Sequence, residues 1–524
     1  MNEKLSHRSI LDYIENHSAQ NPEGTAIVCG KQTVSYRELS EGSSRCRGAL
    51  QALGISSGER VALVMSDGPE WIMAFLGIIG LGAIAVPCST MAKVQELAYI
   101  LNDCSAKAAI VTPELYETII AAWPHSPALQ MLIIAGDELL TYREKIICFE
   151  RMVGGAAPAP ISLSDAETPA FILYTSGSTG QPKGAVHCHG DIPYTIEQCG
   201  RTLFDVKSGD RLFSSSRLFF AYGLGNSLSL PLGLGATSIL CRARPTPAVI
   251  AQVMENDKPT IFFAVPAVFR ALLEYCRQGN QFETSSIRFC VSAGESLPAR
   301  IFHEWKEATG LTIIDAIGST ELLYMFISNR QDNLRPGSSG LPIEGYQVRL
   351  QDEYDNVLTG AGSGNLYVKG ASALPYYWNK PEKTAETIYD GWIKTGDVYR
   401  RDEEGFYWFE GRSDDLFKSS GMWVSPGDVE EALCQHPAIL EAGVICEPDQ
   451  DGTNIVVAFV VLRPEKETGS EITELLKIHA AGLLPRYKQP QRIYFLDQLP
   501  RTVTGKLQRF KLRESHILLQ LSDQ

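Results

Sequence analysis

The chain has 524 residues, 44% of them apolar and 21% charged, with a formal net charge of −14. That length exceeds one ordinary core and implies roughly two to four domains or subdomains of a globular protein. The acidic balance excludes broad electrostatic attraction to nucleic acid or anionic membrane, and leaves room only for a local basic patch facing a small anion.

The N-terminal "MNEKLSHRSILDYIENH" is polar and mixed in charge, so no secretory signal is expected. The first 150 residues alternate helical patterns with short apolar runs such as "RVALVM" and "AAIVTP", which argues α/β architecture. The longest apolar run, "WIMAFLGIIGLGAIAVP" at 71–87, is too short for a typical membrane span and holds Gly77, Gly80 and Gly82. It reads as a buried helix, a glycine turn and a buried strand. The 12 cysteines, scattered between Cys29 and Cys446 without CxxC spacing, suit reduced thiols and a cytoplasmic setting.

Residues 155–169 are small, polar and proline-rich, as in a linker. "AFILY" then reads as a buried strand running into "YTSGSTGQPKGAVH" at 174–187. "KPTIFFAVP", "IRFCVSAGESLP" and "GLTIIDAIGSTE" each read as a strand ending in a polar turn. Side by side, they would line one rim of a parallel sheet, where ligands usually sit. From 362 onward the texture is β-rich. "SDDLFKSSGMW" reads as a hinge or mobile loop, and Ser425 to Asp428 as a capping box with Pro426 at the first helical position. A compact C-terminal unit follows.

The loop at 174–187 departs from the Walker form, because Gly177 and Gly180 are too close and Pro182-Lys183-Gly184 replaces its ending. Its physics is similar: glycines admit backbone N–H groups to oxyanions, and hydroxyls and Lys183 add donors. A bare Gly/Ser stretch would be an ordinary surface loop; the full sequence is far more specific. It resembles the phosphate loop of adenylate-forming enzymes, which include acyl-CoA synthetases, nonribosomal peptide adenylation domains and luciferase relatives. Four further stretches resemble that family's motifs in order: "IGSTE" (317–321), "WIKTGD" (392–397), "GRSDDLFK" (411–418) and "PRTVTGKLQR" (500–509).

The resemblance implies a large N-terminal domain (1–413) of parallel α/β sheets with a β-rich subdomain at about 335–413, and a small α+β lid (414–524). It implies that Thr175, Ser176, Gly177, Ser178, Thr179, Gly180 and Lys183 cradle ATP phosphates. Thr320 would contact the α-phosphate and Glu321 would hold Mg²⁺. Gly294, Glu295, Asp315 and Ala316 would line the adenine slot, Asp397 would bind the ribose hydroxyls with Arg412 nearby, and Asp414 would be the hinge. Lys506 would reach the carboxylate and the α-phosphate. His187 and His189 lack a third ligand nearby, so a metal site there is weak, and His187 is placed near the substrate or the loop.

The chemistry implied is attack of a carboxylate on ATP to give acyl-AMP and pyrophosphate, then thioester formation. Ile317 in place of an aromatic, and "SRLFFAYGLGNSLSLPL" where many relatives carry histidine, resemble benzoate-CoA and aminobenzoate-CoA ligases. The acyl pocket would then comprise Ala221, Tyr222, Gly223, Ile317, Gly318 and Tyr324, the glycines leaving room for a ring. Tyr324 stands where benzoate-like enzymes tend to have histidine. Its hydroxyl would either contact a ring substituent or narrow the pocket, and core packing of both tyrosines is the plainer alternative. Coenzyme A is the leading thiol, with Gly421, Trp423, Arg486, Lys488 and Arg492 as its candidate contacts. A carrier protein is the alternative acceptor. A non-catalytic adenylate sensor fits poorly with Lys506, Glu321 and Asp397 all in place. The oligomeric state stays open, a homodimer included.

Overall fold

In the computed structural model, which describes residues 8–136, 145–162, 165–176, 181–419, 422–448, 454–463, 466, 468–501 and 507–514, the apolar run at 71–87 is the helix Pro69–Gly80 followed by the strand Ile84–Pro87. Gly82 makes the turn between them at φ 78°, a left-handed backbone that glycine adopts without a Cβ penalty. Helix and strand are buried almost throughout. No helix among the described residues is long and apolar enough to cross a membrane.

The chain divides into two compact units, Met1–Val348 with Val368–Lys394, and Arg349–Tyr367 with Thr395–Gln524. The first contains two large sheets. One has seven strands in the order Ile146–Cys148, Met131–Ile134, Ala108–Val111, Arg60–Val64, Ile84–Pro87, Pro169–Ser176, Pro182–Cys188. Its pairings are parallel except the last. The unbroken Val, Ile and Ala of these strands suit a sheet covered on both faces.

The second sheet has nine strands and is parallel in its middle. There Ile261–Ala264, Phe289–Ser292 and Ile313–Gly318 lie side by side in parallel register, the rim the sequence implied. Its edges are antiparallel hairpin partners, Gln32–Ser35 at one end and Met325–Ser328 with Leu341–Pro342 at the other. Trp305, fully buried, packs edge-on against Phe269 with ring centroids 4.9 Å apart and fills the core between sheet and helices.

The second unit carries a three-stranded sheet, Ile439–Pro448, Asn454–Leu462 and Arg492–Phe495, with the helices Pro426–Cys434 and Ser470–Leu483. Two expectations change in detail. The stretch read as a hinge loop forms a two-stranded ribbon, Phe417–Ser419 with Met422–Val424, because Phe417 and Val424 are opposed and both buried. The capping box at Ser425 is half formed: the hydroxyl accepts the Asp428 N–H, but the Asp428 carboxylate is paired with Lys488.

Candidate active site

The phosphate-loop stretch is a hairpin. Strand Pro169–Ser176 pairs antiparallel with Pro182–Cys188, and Thr175 lies opposite Lys183. A second strand was not foreseen, because Pro182 and Gly184 disguise its alternation. Gly177, Ser178, Thr179 and Gly180 lie outside the described residues.

The return strand grips the turn after Ile313–Gly318 at two points four residues apart, a spacing that puts both side chains on one face. Lys183 Nζ lies 3.2 Å from Glu321 Oε1. The His187 ring, with no exposed surface, reaches the Thr320 carbonyl through Nε2 at 2.8 Å and Asp191 Oδ2 through Nδ1 at 2.7 Å. Between Lys183 and Glu321 stands Tyr377. Its hydroxyl donates to Glu321 Oε1 at 2.6 Å and accepts from Lys183 Nζ at 2.6 Å. Burial pushes the Glu321 carboxyl up, but the Lys183 charge and the Tyr377 hydroxyl outweigh it and hold the group below the usual carboxylate range. Glu321 is therefore an anion when the site is empty.

Thr320 and Glu321 open a tight segment that ends at Tyr324. Leu323 has φ 64° and ψ −38°, and the Tyr324 N–H donates to the Leu322 carbonyl at 2.7 Å. This is a γ-turn with a leucine at left-handed φ, a strained conformation that persists only where its surroundings enforce it. Beyond it, Tyr324 is 2% exposed and its hydroxyl donates to Asn226 Oδ1. Asn226 Nδ2 donates in turn to Ser214 Oγ at 3.1 Å. The Tyr222 hydroxyl donates to the Val291 carbonyl at 3.1 Å, and its ring centroid is 6.4 Å from that of Tyr324. Asn226 belongs to a π-helical turn, Gly225–Ser229, inside the helical stretch that begins at Ala221. Such turns cluster at functional sites, and no local sequence signal marks this one.

The glycines have a different task from the one the sequence suggested. A Cβ on Gly223 would stand 1.9 Å from the Arg217 carbonyl oxygen, and one on Gly318 would stand 2.5 Å from the Tyr324 carbonyl oxygen. They admit neighbouring backbone rather than a ligand ring. Gly225 does the same for the Tyr324 ring, which a Cβ would meet at 2.2 Å.

On the neighbouring strand ends, Gly294 takes φ 93° in the turn after Phe289–Ser292, with Glu295 partly exposed beside it. Asp315 is 3% exposed, lies opposite Ser292, and one of its oxygens has no hydrogen-bond partner among the described residues. Burial pushes this carboxyl well up, while the Leu297 and Ala316 N–H groups pull the other way. Ala316 is buried next to it, and Ile317 is partly exposed. His187 and His189 diverge: His189 Nδ1 meets Ser9 Oγ at 3.1 Å. No cluster of three metal-ligating side chains occurs among the described residues.

In the second unit, Asp397 and Arg412 face each other across an antiparallel pair, and Arg412 Nη1 donates to Asp397 Oδ1 at 2.7 Å. Gly396, at φ 76°, makes the bend that presents Asp397. Asp414 lies in the turn that follows. Lys506 and Gly421 lie outside the described residues, as does the Trp423 side chain. The flanks of Lys506 are pinned: Arg501 bridges to Leu507, and Arg509 Nη2 pairs with Glu430 Oε1 at 2.7 Å. Arg486 is in the short turn Arg486–Lys488, and Arg492 opens the last strand.

The model of the AMP-binding enzyme family matches residues 14–378, and that of the AMP-binding enzyme C-terminal domain matches 428–506. The chain belongs to this family. It is 40% identical over 495 residues to a benzoate–CoA ligase of Thauera aromatica, covering 94% of this chain and 92% of that one. It is 35% identical over 468 residues to an anthranilate–CoA ligase of Pseudomonas aeruginosa, covering 88% and 87%. The crystal structure of an anthranilate CoA ligase in complex with anthranoyl-AMP superimposes with a TM-score of 0.93 at 36% identity, covering 99% of both chains.

Proposed function

We propose that this protein is an AMP-forming acid-thiol ligase that converts an aromatic carboxylic acid to its coenzyme A thioester. One observation carries the reading. Residues 321–324 hold a lysine-paired carboxylate, Glu321, at one end and an aromatic wall, Tyr324 facing Tyr222, at the other. A phosphate site and a ring site are thereby built on one short segment.

Lys183 binds departing phosphates as a point charge. Thr320 sits at the α-phosphate, its carbonyl braced by His187. Glu321 fits Mg²⁺, an ion commonly held by one or two carboxylates with substrate phosphates and water completing its shell. That ion, when bound, neutralises charge on the leaving pyrophosphate. A carboxylate oxygen of the acid attacks the α-phosphorus, the bond to the β-phosphate oxygen breaks, and Lys506 stabilises the charge developing there. The sulfur of coenzyme A then attacks the acyl carbon, loses its proton, and AMP departs. Asp397 with Arg412 holds the ribose, Gly294, Glu295, Asp315 and Ala316 line the adenine slot, and Thr175 and Ser176 lead into the phosphate loop. Rotation about Asp414 exchanges the lid between half-reactions, with Gly421, Trp423, Arg486 and Arg492 meeting coenzyme A. Lys488, occupied by Asp428, contributes less.

Both pocket phenols are engaged by protein, Tyr324 by Asn226 and Tyr222 by Val291. A ring hydroxyl or amino group needing either of them would be left unpaired. Benzoate therefore fits best. 2-Aminobenzoate, whose amino group can bond to its own carboxylate, fits next, and 4-hydroxybenzoate fits poorly.

The test is thioester formation from free coenzyme A and MgATP across benzoate, the three aminobenzoates and the hydroxybenzoates, with pyrophosphate read in parallel. Benzoyl-CoA as the fastest product is expected. Pyrophosphate release without any aryl-CoA would overturn coenzyme A as acceptor in favour of a carrier protein.

A further inference from the structure

We propose that Tyr377 is a positioning residue that keeps the Glu321 carboxylate aimed at a magnesium–nucleotide after Lys183 has turned to the phosphates; this rests on the reading of Glu321 as the magnesium ligand. Tyr377 carries none of the family's motif residues quoted above. Its place comes from main-chain pairing. The Val186 N–H donates to the Tyr376 carbonyl at 3.2 Å, the Trp378 N–H to the Gly184 carbonyl at 2.8 Å, and the Leu374 N–H to the Glu321 carbonyl at 2.8 Å. Residues 374–378 are thus sewn to both the phosphate-loop strand and the Glu321 turn. The ring is 1% exposed, so its position is fixed by packing.

The hydrogen-bond arithmetic sets the role. A phenol has one proton, and here it goes to Glu321 Oε1 at 2.6 Å. An ammonium has three, and Lys183 spends one on the phenol oxygen at 2.6 Å and a longer one on the carboxylate at 3.2 Å. Lysine can exchange these partners for phosphate oxygens without touching the Tyr377–Glu321 bond. Among the described residues the side-chain bonds to Glu321 fall on Oε1, which leaves Oε2 for a cation. Without the phenol, the lysine is the only charged partner near the carboxylate among the described residues, and the two would close on each other. The cation would then have to break a direct ion pair.

The experiment is Tyr377→Phe, with binding of a fluorescent ATP analogue measured across a Mg²⁺ titration and without metal. Loss of a hydrogen bond to a charged group should raise the half-saturating Mg²⁺ concentration about 10-fold. The KM for MgATP should rise by a similar factor while kcat stays within about 3-fold, the split expected when ground-state binding is lost. Metal-free nucleotide affinity should stay within about 2-fold. Equal weakening with and without metal, or no change in either, would overturn the proposal. Glu321→Gln separates the two claims: if it leaves the Mg²⁺ dependence unchanged, Glu321 is not the ligand and the proposal falls with it. If Glu321→Gln shifts that dependence and Tyr377→Phe does not, only the role of Tyr377 fails. Should Tyr377→Phe not fold, 3-fluorotyrosine at 377 keeps ring and hydroxyl and, by acidifying the phenol, makes it a stronger donor. A shift of about 2-fold in half-saturating Mg²⁺ is then expected, and an unchanged value overturns the proposal.

Discussion

The two ends of residues 321–324 satisfy their polar atoms in opposite ways. At the ring end, neutral groups are bonded to fixed protein partners: Tyr324 to Asn226, Asn226 to Ser214, Tyr222 to Val291. At the phosphate end, charged groups are bonded to one another, in the cluster of Lys183, Tyr377 and Glu321. The first arrangement is closed, each of these groups already holding a protein partner. The second can be rearranged, since Lys183 can give up both of its bonds while the Tyr377–Glu321 bond stays in place. An anionic ligand can take lysine from glutamate without leaving the ammonium unpaired, because its oxygens replace the carboxylate. Opening the buried Tyr324–Asn226 bond costs more, because both partners are left without water.

Substitutions at each end should therefore separate cleanly. Lys183→Met attacks the phosphate end and should have the largest effect. The KM for MgATP should rise roughly 30-fold, since a charge-assisted phosphate contact is lost, while the ranking of aromatic acids stays as in the wild type. Steady-state kinetics on the acid panel checks both halves. A changed ranking would break the comparison.

Asn226→Ala attacks the closed end and should do the reverse. It leaves the Tyr324 hydroxyl buried without a partner, which costs about 1–3 kcal/mol of stability and frees that hydroxyl for a substituted ring. The ratio of kcat/KM for hydroxybenzoates to that for benzoate should rise several-fold, with the KM for MgATP unchanged. Thermal melting and the same panel supply the measurement.

The smallest effect on activity lies away from both ends. His189 is 2% exposed, and burial pushes its imidazole from 6.5 down to about 4. Between those values the unfolded chain holds a proton that the folded chain refuses, so stability falls as pH falls. The contribution is fully present above pH 6.5 and is withdrawn between 6.5 and 4, to a total of about 3 kcal/mol. His189→Gln should flatten the acid limb of a melting-temperature profile over that interval and leave the pH dependence of pyrophosphate release alone.

The strand rim was legible because buried parallel strands are short apolar runs stopped by polar turns, and three of them follow one pattern. Asp397 and Arg412 were legible as motif residues, and the antiparallel register that sets them opposite each other explains why they belong together. Tyr377 was not legible. Its partners lie 194 and 56 positions away, and a tyrosine beside "WNKP" carries no local sign of chemistry. Asn226 was hidden for a related reason: its function is to hold another side chain, and the π-helical turn that aims it leaves no trace in composition. The glycines misled in the opposite sense. Their freedom reads as space for a ligand, while in the fold it is filled by the Arg217 and Tyr324 main chain.

The γ-turn at Leu323 bears on more than local geometry. A leucine at φ 64° is kept out of its preferred backbone regions only by its surroundings, so the segment between Glu321 and Tyr324 is braced by the packing on either side of it. What moves the ring wall must then move the carboxylate, and the reverse. Such mechanical rigidity is a thermodynamic coupling. The factor by which an aromatic acid changes the affinity for nucleotide must equal the factor by which nucleotide changes the affinity for the acid.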